Sequence, residues 1–149
     1  MIKWHLETRK ISSLKPHPKN PRRLTKEQHA HLRYNLNKFG MAAKPEVNID
    51  GQIIGGHMRI KVWKELGNNE VECNVPDRLM TPEEVDEACI RFNKNTGEWD
   101  WDLLGNEWEV QDLFDWGFTA DDLHLDKDEI DGEDKPKKEK ECPHCGEKL

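Results

Sequence analysis

Gln52-Ile-Ile-Gly-Gly-His-Met-Arg-Ile-Lys61 is the stretch on which the fold turns. A short apolar strand pattern ends in two glycines and a helical pattern begins at once. Met58, Val62 and Leu66 repeat at i, i+4 and i+8, and Gly67 closes the run. Such a junction leaves the free N–H groups of the first helical turn, with the positive end of the helix dipole, aimed at one point. A phosphate suits that point. Glycine lets a ligand come close to the backbone, and Arg59 adds a planar donor that is always charged. The same residues also describe a plain tight turn followed by a surface arginine. His57 fits three roles: a general base, a protonated phosphate ligand, or a helix-start residue that bonds the turn.

Working outward, Pro45 opens a hairpin of Glu46–Ile49 and Gln52–Ile54 around an Asp50-Gly51 turn. Thr25 with Gln28 three residues on forms a capping-box signal. The helix that follows runs to about Lys38, with Leu32, Leu36 and Phe39 on one face and Gly40 as its stop. Before it, three prolines in Lys15-Pro-His-Pro-Lys-Asn-Pro-Arg-Arg23 forbid regular helix and hold the loop extended. Residues 3–9 and Val71–Val75 read as strands. Thr81-Pro82-Glu83-Glu84 starts a third helix that reaches about Asn93. Its acids Glu83, Glu84, Asp86 and Glu87 read as a solvated face that favours the dipole. The order of elements predicts an α/β domain with a small mixed sheet, flanking helices and a short C-terminal helical cap.

The chain has 149 residues, 23 Lys+Arg and 30 Asp+Glu, yet residues 1–80 carry a balance of +7 and residues 81–120 one of −9. A basic half joined to an acidic half fits an anionic ligand held by the first, or two halves that attract each other. No apolar run reaches the roughly 20 residues that span a bilayer, and Met-Ile-Lys-Trp-His-Leu-Glu has no apolar signal region. The expectation is a soluble, cytosolic protein with no membrane partner. Residues 1–97 form the main domain in this reading, 98–123 an acidic aromatic cap packed on its core, and 124–141 a charged, disordered linker. Cys142-Pro-His-Cys-Gly146 in the 142–149 tail has the form of half a zinc ribbon, with Cys142 and Cys145 as metal ligands. A second copy in a homodimer, or Cys73 and Cys89, would complete the set. Cys73 and Cys89 otherwise read as core residues.

Asn20-Pro-Arg22, helix, Gly40, Pro45, hairpin, Gly55-Gly-His-Met-Arg59, helix, Gly67 and strand follow one another in an order that resembles the ParB/sulfiredoxin superfamily. The likeness is to its ParB-like nuclease domain branch, in the small versions common in phages and mobile elements, and spans roughly residues 8–95. It implies the following. In ParB proteins the turn reads Gly-Glu-Arg-Arg and cradles the phosphates of CTP. In sulfiredoxins it reads Gly-Gly-Cys-His-Arg and binds ATP, with the cysteine as catalytic group. Gly56 and Arg59 match both patterns, His57 replaces the Glu or Cys, and Met58 replaces an Arg or His. With no thiol at position 57, sulfiredoxin chemistry is not expected. Asn20, Pro21 and Arg22 match a first ParB motif that packs beside the phosphate turn, so that Arg22 and Arg23 would supply the charge Met58 lacks. Arg91-Phe-Asn-Lys-Asn95 is a loose match to a Glu-Asn…Arg segment, which makes Asn93 a further ligand contact or simply a helix cap.

The resemblance therefore implies a phosphate or nucleotide site of Asn20, Arg22, Gly55, Gly56, His57, Arg59 and Asn93, taking a nucleoside triphosphate such as CTP or ATP. It implies a DNA-associated protein, accessory to phage or plasmid DNA metabolism, that meets the DNA backbone. A nuclease or phosphate-transferring enzyme on the same fold, with His57 as catalytic group, is the second reading. An adaptor that recruits a DNA-modifying partner, such as a methyltransferase, is the third.

Overall fold

The computed structural model describes residues 1–94 and 97–125. Two compact units emerge, Met1–Asp100 and a second that begins at Trp101. In the first, β1 (Trp4–Lys10) leads through a 3-10 turn, Ile11–Ser13, into the proline loop. Then come α1 (Lys26–Phe39), β2 (Glu46–Val47), β3 (Ile53–Gly55), α2 (His57–Glu65), β4 (Glu70–Pro76) and α3 (Pro82–Lys94). The sheet order is β1-β4-β2-β3. β1 and β4 are antiparallel, β2 and β4 parallel, and β2 and β3 antiparallel, so the sheet is mixed as expected.

Local chemistry explains the helix ends. The Thr25 hydroxyl accepts from the Gln28 N–H at 3.2 Å, and Gln28 Oε1 accepts the Thr25 N–H at 3.0 Å. The full capping box is present, and Gly40 takes a positive φ of 72° at the other end. Thr81 likewise caps α3 by accepting the Glu84 N–H. One face of the sheet packs Val47, Ile53, Val71, Cys73 and Val75 against Leu36 of α1 and Ile60 and Val62 of α2. Beyond the other face, Ile54 joins Met80, Val85 and Ala88, bringing α3 onto β3. Ile53 and Ile54 serve opposite clusters because successive strand residues point to opposite faces. The second unit holds α4 (Trp101–Glu107) and α5 (Val110–Asp115), the two short helices anticipated between 98 and 118. Among its described residues Leu104 and Leu113 are buried. Trp101, Trp108 and Trp116 are exposed, and the rings of Trp108 and Trp116 meet edge-on at 5.7 Å.

Several local expectations need correcting. The hairpin loop has three residues: Asn48 N–H donates to Gln52 O, Gly51 N–H donates to Asn48 O, and Gly51 has φ +91°. That left-handed third position is what a three-residue hairpin loop with a bulge requires. The first strand is shorter than the expected 46–49, and the second keeps three residues but starts one later than the expected 52–54. Phe39 is exposed and sits under Lys38 Nζ instead of facing the core with Leu36. The acidic face of α3 is more engaged than a solvated helix face. Glu84 pairs with Arg78 through both oxygens, Glu87 with Arg91, and Asp86 with His17. Cys73 and Cys89 are buried core residues, and burial pushes the Cys73 thiol up to about 11. The Cys142 and Cys145 pair lies outside the described residues, as does most of the charged stretch 124–141.

Asn48 was not anticipated at all. It is buried next to the hairpin, its Oδ1 accepts the Met80 N–H at 3.0 Å, and its Nδ2 donates to the Met80 carbonyl at 3.1 Å. This pair ties β2 to the chain entering α3. Asn48→Ala strands two buried backbone groups, each costing about 1–3 kcal/mol, so we expect a loss of roughly 2–4 kcal/mol. Urea unfolding measures it, and a loss below about 0.5 kcal/mol, the usual scale of an inert surface change, contradicts the tie.

Candidate functional site

The strand-to-helix junction is built around Gly56. It is the N-cap of α2 with φ +85° and ψ 21°, a left-handed conformation that side-chain-bearing residues avoid. A Cβ there would also lie 2.7 Å from Pro45 Cβ and 3.1 Å from Pro45 Cα. The sequence suggested that Gly56 leaves room for a ligand. The structure gives a different reason: Pro45 occupies the space. At the neighbouring Gly55 a Cβ would meet only the carboxylate end of Glu46, a flexible group that can swing aside, and its φ is not positive. Gly56 is therefore the glycine that lets Pro45 pack directly on the turn.

No side chain caps α2, so the amides of its first turn are left without a capping partner. A cavity of about 250 Å³ opens in front of them. Asn20, Arg22, Gly56, His57, Arg59 and Asn93 all line it, with Leu24, Leu32 and Met58. Six of the seven residues singled out for a phosphate meet around one space. Gly55, the seventh, is buried beneath it. Arg23 turns elsewhere and lines a neighbouring groove.

Two guanidiniums flank the cavity, each held by one strong contact. Arg22 Nη1 donates to Asn93 Oδ1 at 2.6 Å, and Asn93 Nδ2 donates to the Cys89 carbonyl at 2.6 Å. Asn93 thus bonds back to a carbonyl one turn earlier in its own helix and holds Arg22 in place. Asn20 Oδ1 accepts the Arg22 N–H and shapes the Asn-Pro-Arg turn. Arg59 Nη1 donates to the Ala43 carbonyl at 2.6 Å, and its Nη2 lies 3.9 Å from Glu46 Oε2. A guanidinium has five N–H donors, so each arginine keeps several for a ligand. Glu46 offsets part of the charge of Arg59, and Arg22 has no carboxylate partner among the described residues.

His17 is the residue that sequence reasoning passed over. It is only 6% exposed and stands between Pro16 and Pro18. Its Nδ1 accepts the Lys19 N–H at 3.0 Å, so its proton sits on Nε2, which donates to Asp86 Oδ1 at 2.7 Å. The His17 backbone N–H donates to His57 Nε2 at 3.0 Å. Asp86 is held below the ordinary carboxylate range, chiefly by the hydrogen bond from His17. A histidine locked between prolines was the available signal, but its partner Asp86 is 69 residues away.

This network decides what His57 can do in the described geometry. Its Nε2 lone pair is taken by the His17 amide, so the neutral ring carries its proton on Nδ1. No basic nitrogen is left for a general base. The ring becomes a splint between the proline loop and α2, with one N–H to donate. Burial first, and His17 second, lower the pKa of His57 from its ordinary 6.5. Among the described residues no group of three or more His, Cys, Asp or Glu stands ready to hold a metal ion, and no helix there is long and apolar enough to cross a membrane.

No family model matches the chain, and no curated protein matches it. Solved structures do. One is the C-terminally truncated chromosome-partitioning protein ParB from Caulobacter crescentus, complexed with CTP-γ-S. It is 18% identical, with a TM-score of 0.57, and the match covers 82% of this chain and 72% of that one. Two structures of a pNOB8-like ParB N-domain follow at 20% identity, with TM-scores of 0.55 and 0.53. The fold is that of the ParB N-domain. The matches to the two pNOB8-like chains cover 68% and 66% of this chain but only 42% and 38% of theirs. In this ParB-like fold the glycine turn opens α2, and the Asn-Pro-Arg turn closes over it from the proline loop.

The pH dependence follows from the lowered pKa of His57. The unfolded chain takes up the proton first, so the contribution of neutral His57 is complete above about pH 6.5 and is lost as pH falls toward the lowered folded value. His57→Gln keeps an acceptor for the His17 amide but does not titrate. We expect wild type to lose stability relative to His57→Gln as the pH falls below about 6.5. Melting curves that stay parallel below that pH contradict the splint.

Proposed function

We propose that the chain binds the phosphates of a nucleoside triphosphate at the first turn of α2 and acts as a DNA-associated accessory protein of phage or plasmid DNA metabolism. One observation carries the reading: Asn20, Arg22, Gly56, His57, Arg59 and Asn93 line a single cavity in front of uncapped helix amides. Two guanidiniums, an imidazole N–H and helix N–H groups are the donor set a phosphate asks for. CTP is the first candidate, because the Caulobacter ParB with this fold was solved with CTP-γ-S. ATP is the alternative. With Met58 where ParB proteins have an arginine, the structure leaves Arg22 to bring the second cation. Residues 1–97 are the ligand-binding part in this reading, and Cys142 with Cys145 form a zinc-binding tail.

The adaptor reading draws on a separate observation. Residues 98–125 hold nine carboxylates and no Lys or Arg, and Trp101, Trp108 and Trp116 are exposed there. Apolar rings set among acids suit a basic protein surface, such as that of a DNA-modifying enzyme. The nuclease reading receives no comparable support from the described residues.

Calorimetric titration with CTP and ATP tests the site. Arg59→Ala and Arg22→Ala should each weaken binding by roughly 1.5–3 kcal/mol, the range for a hydrogen bond to a charged group. Unchanged affinity in both variants contradicts the site. Gly56→Val is a poor probe, because Pro45 makes it a folding mutant.

A further inference from the structure

A second and wider concavity, of about 500 Å³, lies beside the phosphate cavity and shares Arg22, Leu24 and Met58 with it. Arg23 and Lys26 reach it from the start of α1. Lys61 reaches it from α2, one turn beyond His57. No carboxylate lines this groove, and Arg23, Lys26 and Lys61 have no acidic partner among the described residues. Some cations elsewhere in the same unit are neutralised, Lys44 by Glu72, Arg78 by Glu84 and Arg91 by Glu87, so what marks the groove is that its three cations border one concavity. Unpaired like charges around a concavity repel one another and raise the local concentration of anions. Between them the floor is apolar, formed by Leu24, Met58 and Val62.

We propose that this groove binds a single nucleic-acid strand, which runs out from the phosphate cavity with its phosphodiesters on Arg23, Lys26 and Lys61 and its sugars and base edges on the apolar floor. The inference rests on the reading of the first cavity as a phosphate site, because the shared Arg22 makes the two one continuous path. A duplex presents its backbone on a convex cylinder and would meet the rim alone. A single strand can use both rim and floor, which is how strand-binding grooves combine charge with base contact. No side chain here presents a pattern of donors to base edges, so binding is indifferent to sequence.

The test compares wild type with the double variant Lys26→Gln/Lys61→Gln, whose side chains are exposed and lie outside the phosphate cavity. A short single-stranded DNA oligomer, CTP and inorganic tripolyphosphate are titrated at several salt concentrations. The variant should bind the oligomer about tenfold more weakly at low salt, and its logarithmic salt slope should be shallower by about 1.4, at about 0.7 for each lost phosphate contact. CTP affinity should stay within about twofold, well under the tenfold worth 1.4 kcal/mol. If neither protein binds CTP but the oligomer result holds, the groove stands and the nucleotide reading falls. An oligomer affinity and slope unchanged by the variant overturn the proposal, as does wild type that binds no oligomer. A loss confined to tripolyphosphate also overturns it, and assigns the groove to a free polyphosphate.

Discussion

The buried imidazole of His17 is the constraint on which the site depends. Prolines on both sides remove backbone freedom from the loop, yet a stiff loop alone has no reason to lie on α2. His17 supplies the reason, in two directions. Its ring donates to Asp86 on α3 and its backbone N–H donates to His57 at the start of α2. A stretch with little hydrophobic surface of its own is thereby held against two helices. Arg22 is five residues further on, and its place opposite Arg59 follows from that attachment and from its bond to Asn93. Two arginines facing one cavity would repel each other, so the positions must be imposed by the surrounding fold. The hydrogen bonds of His17, Asn93 and the Ala43 carbonyl impose them.

The sheet makes the other half of the site. A parallel β2–β4 pair beside an antiparallel β2–β3 pair brings Pro45 and Glu46 against the glycine turn. Gly56 is small because Pro45, just before β2, packs on it, and its left-handed turn is where α2 and its uncapped first amides begin. Three of the four strands are linked by pairings that skip along the sequence, so the cavity is assembled by tertiary structure and not by a local motif.

What was legible in the sequence is what depends on near neighbours. The capping box of Thr25 and Gln28, the stop at Gly40 and the start of α3 at Thr81 all rest on contacts three or four residues long, and all are found. That Asn20, Arg22 and Asn93 meet Gly56 around one cavity was legible because motif order carries topology with it: resemblance placed them together, not any local rule. Features set by distant partners were not legible. Asp86 looked like one more acid on a helix face, because nothing near it names a histidine 69 residues earlier. Asn48 gave no hint that Met80 waits across the fold. Phe39 matched the apolar spacing of its helix, but it is the last helical residue and its exposed ring lies against Lys38. The Asp50-Gly51 pair signalled a hairpin correctly, while the loop length was settled by the pairing of Asn48 with Gln52.

The central claim is that the first turn of α2 receives a phosphate, and amide NMR reads that turn directly. With CTP added to the full chain, the N–H resonances of Gly56, His57, Met58 and Arg59 should move downfield together, as amides do on donating to an anionic acceptor, and their exchange with solvent should slow. The amides of β1 should stay where they are. Shifts absent from these four residues with saturating CTP and ATP, or spread evenly over the basic half of the chain, would contradict the account.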